Sequence, residues 1–281
     1  MAIILICWND EADTIQTLEF LMSEAPSDTL IYIVDNGSIP PFGPDISTDS
    51  SIQILRAGKN LGFAGAHNLA IQSLMDSNVD YILLMNTDVR FKVGRLKAFL
   101  SFHTSEGQTE IYGPVIIEGN RKYYGGRDPG LYINTRIETL ERPDYIPGTF
   151  FLCPVAVFRK VGLFDERFFF SGEVADLCFR AVLAGYSLRI DQDIEVTHLI
   201  NSKSKLRNGL YTYYNLRNRF LFVRKHHKSR QTGLIFTWLL RGLRMAVGSF
   251  VQGNWQRTIA VIRALNDGVF AKYGNRNDRF I

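Results

Sequence analysis

Apolar runs of strand length alternate with amphipathic stretches through the first hundred residues. Ala2 to Cys7, Thr29 to Val34, Ile52 to Leu55 and Tyr81 to Met85 are short and nearly unbroken in apolar character, as strands covered on both faces require. Between them, Ile15, Leu18, Leu21 and Met22 recur at helical spacing, and Val93, Leu96, Phe99 and Leu100 do so after the fourth run. This alternation predicts an α/β fold with a Rossmann-like, mostly parallel central sheet, flanked by helices that close right-handed crossovers.

From Ile111 the pattern shifts toward shorter strands and Gly turns, such as Tyr123-Tyr124-Gly125-Gly126 and the stretch Tyr145 to Leu152, so this half reads as α+β. Val155 to Val161 predicts a short helix. Ser171 predicts the N-cap of another helix, which runs to about Leu183 and stops at Gly185. The Pro-rich piece Ile39 to Pro44 reads as a surface loop. Composition breaks near His198 to Lys205. The expected organisation is an α/β domain over 1–205, in two halves 1–100 and 101–205, followed by a basic helical extension over 206–281.

Three of the apolar runs end on small polar turns that should open onto one rim. They are Asp35-Asn36-Gly37-Ser38, the segment Lys59 to Asn68, and Asn86-Thr87-Asp88. Asp88 leaves its strand where ligands of open α/β sheets collect, and the glycines let an anion approach the backbone. Neither the dinucleotide fingerprint nor a P-loop ending is present, which counts against both. On the helix after Ser171, Glu173 and Asp176 share a face, where a general base could meet a cleft. Glu173 could equally complement the helix N-terminus, and Asp176 could pair with Arg180 one turn on.

At 281 residues and 46% hydrophobic, the chain can bury the core of one large α/β domain with an appendage, or of two small domains. Cys7, Cys153 and Cys178 lack metal-ligand spacing and are odd in number, so a reducing cytosol is expected. No basic n-region precedes the first strand, which predicts the absence of a secretory signal. The net charge of +4 hides an asymmetry: residues 199–281 hold 16 Lys+Arg against 2 Asp+Glu, and residues 1–198 hold 16 against 26.

That basic tail fits an anionic surface, and the acidic first part argues against nucleic acid as the partner. Tyr211, Tyr213, Tyr214, Phe220, Phe222, Trp238 and Trp255 lie among Arg217, Arg219, Arg224, Lys225, Lys228, Arg241 and Arg244, the mixture of helices resting in a bilayer interface. Gln231 to Leu240 is uncharged but falls short of the ~20 apolar residues of a span, and Arg241 follows. The expectation is reversible binding to the inner face of the cell membrane through these cations, released by high salt.

In their order, these pieces resemble the inverting family 2 glycosyltransferases of GT-A fold, especially the bacterial rhamnosyltransferase-like branch. The resemblance covers most of residues 2 to 200. It runs through Val34 to Ser38, Asn60 to Gly65 with Asn68, Leu84 to Asp88, Gly148 to Phe151, Gly162 to Glu166, Phe169 to Arg180, Ala184 to Tyr186, and His198. It implies a nucleotide pocket drawn from Trp8, Asn9, Asp35, Asn60, Gly65, Asn68, Asn86 and Thr87, with Asp35 meeting the ring N–H of a uracil or thymine. It further implies Mg²⁺ or Mn²⁺ held by Asp88 and His198, the remaining ligands coming from diphosphate and water. Donor and acceptor would be a nucleotide sugar and a glycan or lipid-linked glycan.

One departure touches the chemistry. The family usually places Glu-Asp where Glu173-Val174 stand, and valine cannot accept a proton. Glu173 is therefore the first candidate for the base and Asp176 the second, with a Glu near its ordinary pKa of ~4.3 already ionised at neutral pH. Val174 also admits a non-catalytic nucleotide or glycan binder, and the sheet with a metal carboxylate admits a sugar nucleotidyltransferase.

Overall fold

The computed structural model describes residues 1–43, 50–105, 107–199 and 205–280. In chain order its elements are β1 (Ala2–Cys7), α1 (Glu11–Glu24), β2 (Leu30–Asp35), β3 (Ile52–Arg56), α2 (Gly62–Leu74), β4 (Tyr81–Met85), β5 (Val89–Phe91), α3 (Arg95–Ser105) and β6 (Glu110–Glu118). There follow β7 (Arg121–Tyr123), β8 (Phe150–Pro154), α4 (Val155–Val161), α5 (Glu173–Leu183), β9 (Ser187–His198), α6 (Lys205–His226), α7 (Gln231–Val251) and α8 (Trp255–Val269).

One sheet runs in the order β3-β2-β1-β4-β8-β6-β9-β5, with β7 paired to β6. Strands β3, β2, β1 and β4 are parallel, as the alternation of runs and helices predicts. Beyond β4 the sheet becomes mixed: β8 is antiparallel to β4 and β6, while β9 runs parallel to β6 and antiparallel to β5. The parallel strands are apolar on both sides because helices cover both faces. Ile4, Val34 and Leu84 pack beneath α2 in one core, and Ile3, Leu5, Ile33 and Leu83 pack beneath α1 and α3 in the other.

Several local readings shift. Leu96, Phe99 and Leu100 are buried, whereas Val93 precedes α3 and is exposed. In the Pro-rich loop Ile39 is exposed but Phe42 is fully buried, so the loop is pinned by an aromatic anchor; Pro44 lies outside the described residues, as do 200–204 of the expected break. The N-cap position of α5 is Gly172, at φ 100°, in place of Ser171. Gly185 ends that helix at φ 98°, a conformation that favours glycine.

The C-terminal helices form a layer against the α/β unit. The sequence reads their cations as facing outward, yet Arg217 is fully buried, donating to the carbonyls of Gly274, Arg167 and Phe168. Arg219 donates to the carbonyls of Pro129, Tyr132 and Ile133, and Arg224 to those of Gly268 and Val269. Tyr213, Tyr214, Phe220, Phe222 and Trp238 are buried as well. A buried guanidinium must satisfy its donors; Arg217 and Arg219 do so with loop carbonyls, and Arg224 with carbonyls at the C-terminal end of α8.

Candidate active site

The rim at the carboxyl ends of β1, β2 and β4 is cross-braced by polar side chains. Asn9, at φ 55°, accepts the Ile39 N–H on Oδ1, and its own N–H donates to Ser38 Oγ, joining the turns after β1 and β2. Trp8 beside it is 45% exposed. Asp35 accepts from the backbone N–H groups of Ser38 (2.9 Å) and Phe42 (3.1 Å), and from Arg56 (3.2 Å). Burial alone would raise its pKa, but these donors hold it below the usual carboxylate value.

Asn36 ties the second turn to the third. It donates to Asn60 Oδ1 and accepts from the Leu61 N–H, while Asn60 Oδ1 also accepts from the Gly62 N–H. Gly62, at φ 74°, lies against Phe169, where a Cβ would collide with backbone oxygen and ring. Gly65 is buried beside Glu166. Asn68 is held by Phe164 backbone groups and Glu166 Oε1, so it locks α2 to the 162–166 turn.

Asn86 and Asp88 emerge from β4 with Thr87 buried between them. The Asn86 N–H donates to the Thr149 carbonyl, and neighbouring Gly148 packs against Phe63 and Val174. This contact brings the end of β4 and the start of α5 to the same segment.

Asp88 and His198 meet because β5 and β9 pair antiparallel with Val89 opposite His198. Asp88 Oδ1 is buried, has no hydrogen-bond partner, and lies 3.3 Å from His198 Nε2. The other ring nitrogen is 2.8 Å from Glu118 Oε1. Glu118 reaches it because β6 and β9 run parallel with Ile117 opposite Thr197. Burial would lower the His198 pKa, but the Asp88 and Glu118 carboxylates raise it to about 9.

A buried carboxylate oxygen facing an imidazole whose far nitrogen is held by a second carboxylate is a suitable donor set for a divalent cation, which would take the place of the ring proton between them. Adjacent ligands of an octahedral Mg²⁺ lie roughly 3 Å apart, so the separation already fits. Among the described residues no group of three or more His, Cys, Asp and Glu could hold a metal.

The model of Glycosyl transferase family 2 matches residues 2–168, more than half of the chain. The chain belongs to that family. Among curated relatives, the dTDP-rhamnosyl transferase RfbF of Shigella flexneri is 23% identical over 240 residues, covering 80% of each chain. The N-acetylglucosaminyl-diphospho-decaprenol L-rhamnosyltransferase of Mycobacterium tuberculosis is 25% identical over 256 residues, 79% of this chain and 82% of the relative. Among solved structures, the mannosyltransferase PcManGT from Pyrobaculum calidifontis, in complex with GDP-Man and Mn2+, has a TM-score of 0.60 at 10% identity, covering 96% of this chain and 87% of that one. GalNAc-T7 with UDP, GalNAc and Mn2+ also gives 0.60, at 15% identity over 79% of this chain and 47% of its own. The GT-A fold implied by the sequence is the fold of this glycosyltransferase.

In this family 2 member the two candidate bases have opposite surroundings. Glu173, 4% exposed, opens α5 with Oε2 buried and unpartnered. Burial raises its pKa to about 7, with a smaller push from Asp176, so the sequence expectation of an unshifted Glu does not hold. Asp176 is fully buried and contacts Arg180 at 3.0 Å, Lys225 at 2.7 Å and His226 at 2.7 Å. Burial raises its pKa, but His226, Arg180 and Lys225 together bring it below the ordinary value.

The loop ahead of Glu173 is strained and clamped. Phe169 and Ser171 have φ of 63° and 71°, which side-chain-bearing residues seldom adopt. The Asn218 amide of α6 donates to the carbonyls of Phe168, Phe170 and Ser171, and Arg217 donates to Phe168. Glu118, Arg217 and Asn218 were invisible to sequence reasoning. Only strand register and helix docking bring them to the site, and a lone Glu at a strand end or Asn within a helix carries no signal.

Proposed function

We propose that this glycosyltransferase is metal-dependent and inverting, moving a sugar from a nucleotide-diphosphate donor, dTDP-rhamnose or a UDP-sugar, to a glycan or lipid-linked glycan acceptor in cell-surface polysaccharide synthesis. The observation that carries the reading is a buried Glu173 with Oε2 unpartnered on the helix that Gly148 packs against, together with the Asp88–His198 donor set on the strand end bonded to Thr149. The rhamnosyltransferase names of two relatives support the donor, and the Mn2+ in the two neighbours supports the cation.

In the reaction, the acceptor hydroxyl oxygen bonds to the anomeric carbon as the bond to the diphosphate oxygen breaks on the opposite face, and the hydroxyl proton passes to Glu173. A base poised near neutrality both accepts a proton and is ionised often enough to act. Asp88 and His198 would hold Mg²⁺ or Mn²⁺, which when bound neutralises negative charge on the leaving diphosphate. Trp8, Asn9, Asp35, Asn60, Gly65, Asn86 and Thr87 would line the nucleotide pocket. Asp35 Oδ2 already accepts from Phe42 and Arg56, so a base N–H would be met at Oδ1 while both oxygens stiffen the turn. We assign Asp176 to holding α5 against α6, because Arg180, Lys225 and His226 occupy it.

The acceptor half is read as lipid-linked, with the enzyme peripheral on the inner membrane face. Incubating the protein with a panel of nucleotide sugars and Mg²⁺ or Mn²⁺, with and without lipid-linked acceptors, tests the proposal by the nucleotide liberated. Release of nucleoside diphosphate that requires the acceptor supports it; release of pyrophosphate, or ligand binding without turnover, overturns it.

A further inference from the structure

The outward face of α7 is mostly apolar, interrupted by the exposed Arg244. Trp238, Gly242, Ala246 and Ser249 are buried on one side, and Phe236, Leu240, Leu243, Val247 and Phe250 are exposed on the other. Spacings of three and four residues place the second set on a single stripe opposite the first. At the turn into α8 the stripe continues through Trp255, whose ring centroid is 4.9 Å from that of Phe250, and along α8 through Ile259 and Ile262, all exposed. A helix of a water-facing layer would show the reverse polarity.

We propose that the exposed α7–α8 face docks on an anionic lipid bilayer, its apolar stripe seated in the headgroup–acyl boundary. This deepens the membrane part of the proposed function and rests on it. Charge selects the occupant. Of the two acids in residues 205–280, Asp267 is buried and paired with Arg279 and Asp278 alone is exposed, against the exposed Lys228, Arg230, Arg244, Arg257 and Lys272. A second copy seated on this face would bring like charges together; an anionic leaflet complements them.

Lys228–Val251 has the length and mean hydropathy, 1.4 over its best window, of a membrane span, contrary to the sequence expectation that no segment is long enough. The packing favours lying flat. Trp238 Nε1 donates to the Gly130 carbonyl, Arg241 donates to the Leu131 carbonyl, and Gly242 is pressed against Leu265 of α8, so α7 is tied to the polar body along its length. Tyr132 and Ile133 are exposed in the segment those bonds hold.

This placement differs from cation-driven binding in what salt does, because several of the tail's cations are committed inside the protein. Flotation with phosphatidylcholine–phosphatidylglycerol vesicles is expected to carry the full chain upward and to keep most of it bound at high salt, with brominated lipids quenching the fluorescence of wild type more than that of Trp255→Phe. The triple variant Leu243→Ser, Val247→Ser, Phe250→Ser should lose vesicle binding at least tenfold, while its melting temperature and its turnover on a soluble acceptor stay as in wild type. Complete release by salt, absence of bromolipid quenching, or a wild-type dimer that this variant dissolves while lipids are ignored would each overturn the proposal. Vesicle binding without turnover on any donor would instead sink the proposed function and leave the docking face standing.

Discussion

Asn218 of α6 holds the three backbone carbonyls that precede Glu173 of α5, so a residue of the C-terminal layer fixes the start of the helix bearing the candidate base. The loop between them adopts left-handed φ at Phe169, Ser171 and Gly172, a shape that does not persist unless its surroundings hold it. The C-terminal helices are therefore part of the site's scaffold.

Replacing Asn218 with Leu keeps the volume but leaves buried carbonyls without a donor. A loss of about 1–3 kcal/mol in unfolding free energy is expected. Turnover should fall more than donor affinity, since the nucleotide turns are braced separately. Chemical denaturation and a kcat-against-KM split check this, and an equal fall in both parameters would remove the positioning role.

Glu173→Gln should cut turnover by ~100-fold or more with donor binding retained, the range of general-base work. The wild-type kcat should rise with pH through about 7, the value to which burial lifts this carboxyl. A flat profile between pH 6 and 8, with chemistry rate-limiting, would assign the proton to another acceptor.

The same substitution should stabilise the fold at neutral pH. Because the folded pKa of about 7 exceeds the unfolded one, the native state holds the extra proton between them and stability falls as pH rises across that window. At roughly 1.4 kcal/mol per unit, Gln is expected to gain on the order of 3 kcal/mol at pH 7.5 and almost nothing at pH 4. Thermal melts of both proteins at the two pH values provide the comparison.

Asp176→Asn should act on folding instead of chemistry. It leaves Arg180, Lys225 and His226 without their shared carboxylate, and removing one member of a buried charge cluster costs about 3–5 kcal/mol. At a temperature where the variant is folded, its kcat should stay within tenfold of wild type; a loss as deep as that of Glu173→Gln would return Asp176 to the chemistry.

Glu118→Ala removes the partner that orients His198. Loss of such a support typically weakens metal binding by ~10–100-fold, so the Mn²⁺ affinity measured by calorimetry or by paramagnetic relaxation of water should drop accordingly. Unchanged affinity would show that His198 is oriented by other means or is not a ligand.

The parallel half of the sheet, the strand-end turns and the family were legible in the sequence because they depend on local periodicity and on motifs in order. Val155 to Val161 and the stop at Gly185 were likewise local. The Ser171 cap was misplaced because the clamp that forces left-handed backbone comes from Asn218, 47 residues on. Composition gave the charge of the C-terminal part but not its direction. Only packing turned Arg217, Arg219 and Arg224 inward to backbone carbonyls and left Phe236, Leu243 and Val247 facing out. The pairing of Glu118 with His198 and the contrast between Glu173 and Asp176 were also decided by tertiary structure. A side chain's pKa and partners depend on what register and docking bring beside it, and residues distant in sequence carry no local trace of that.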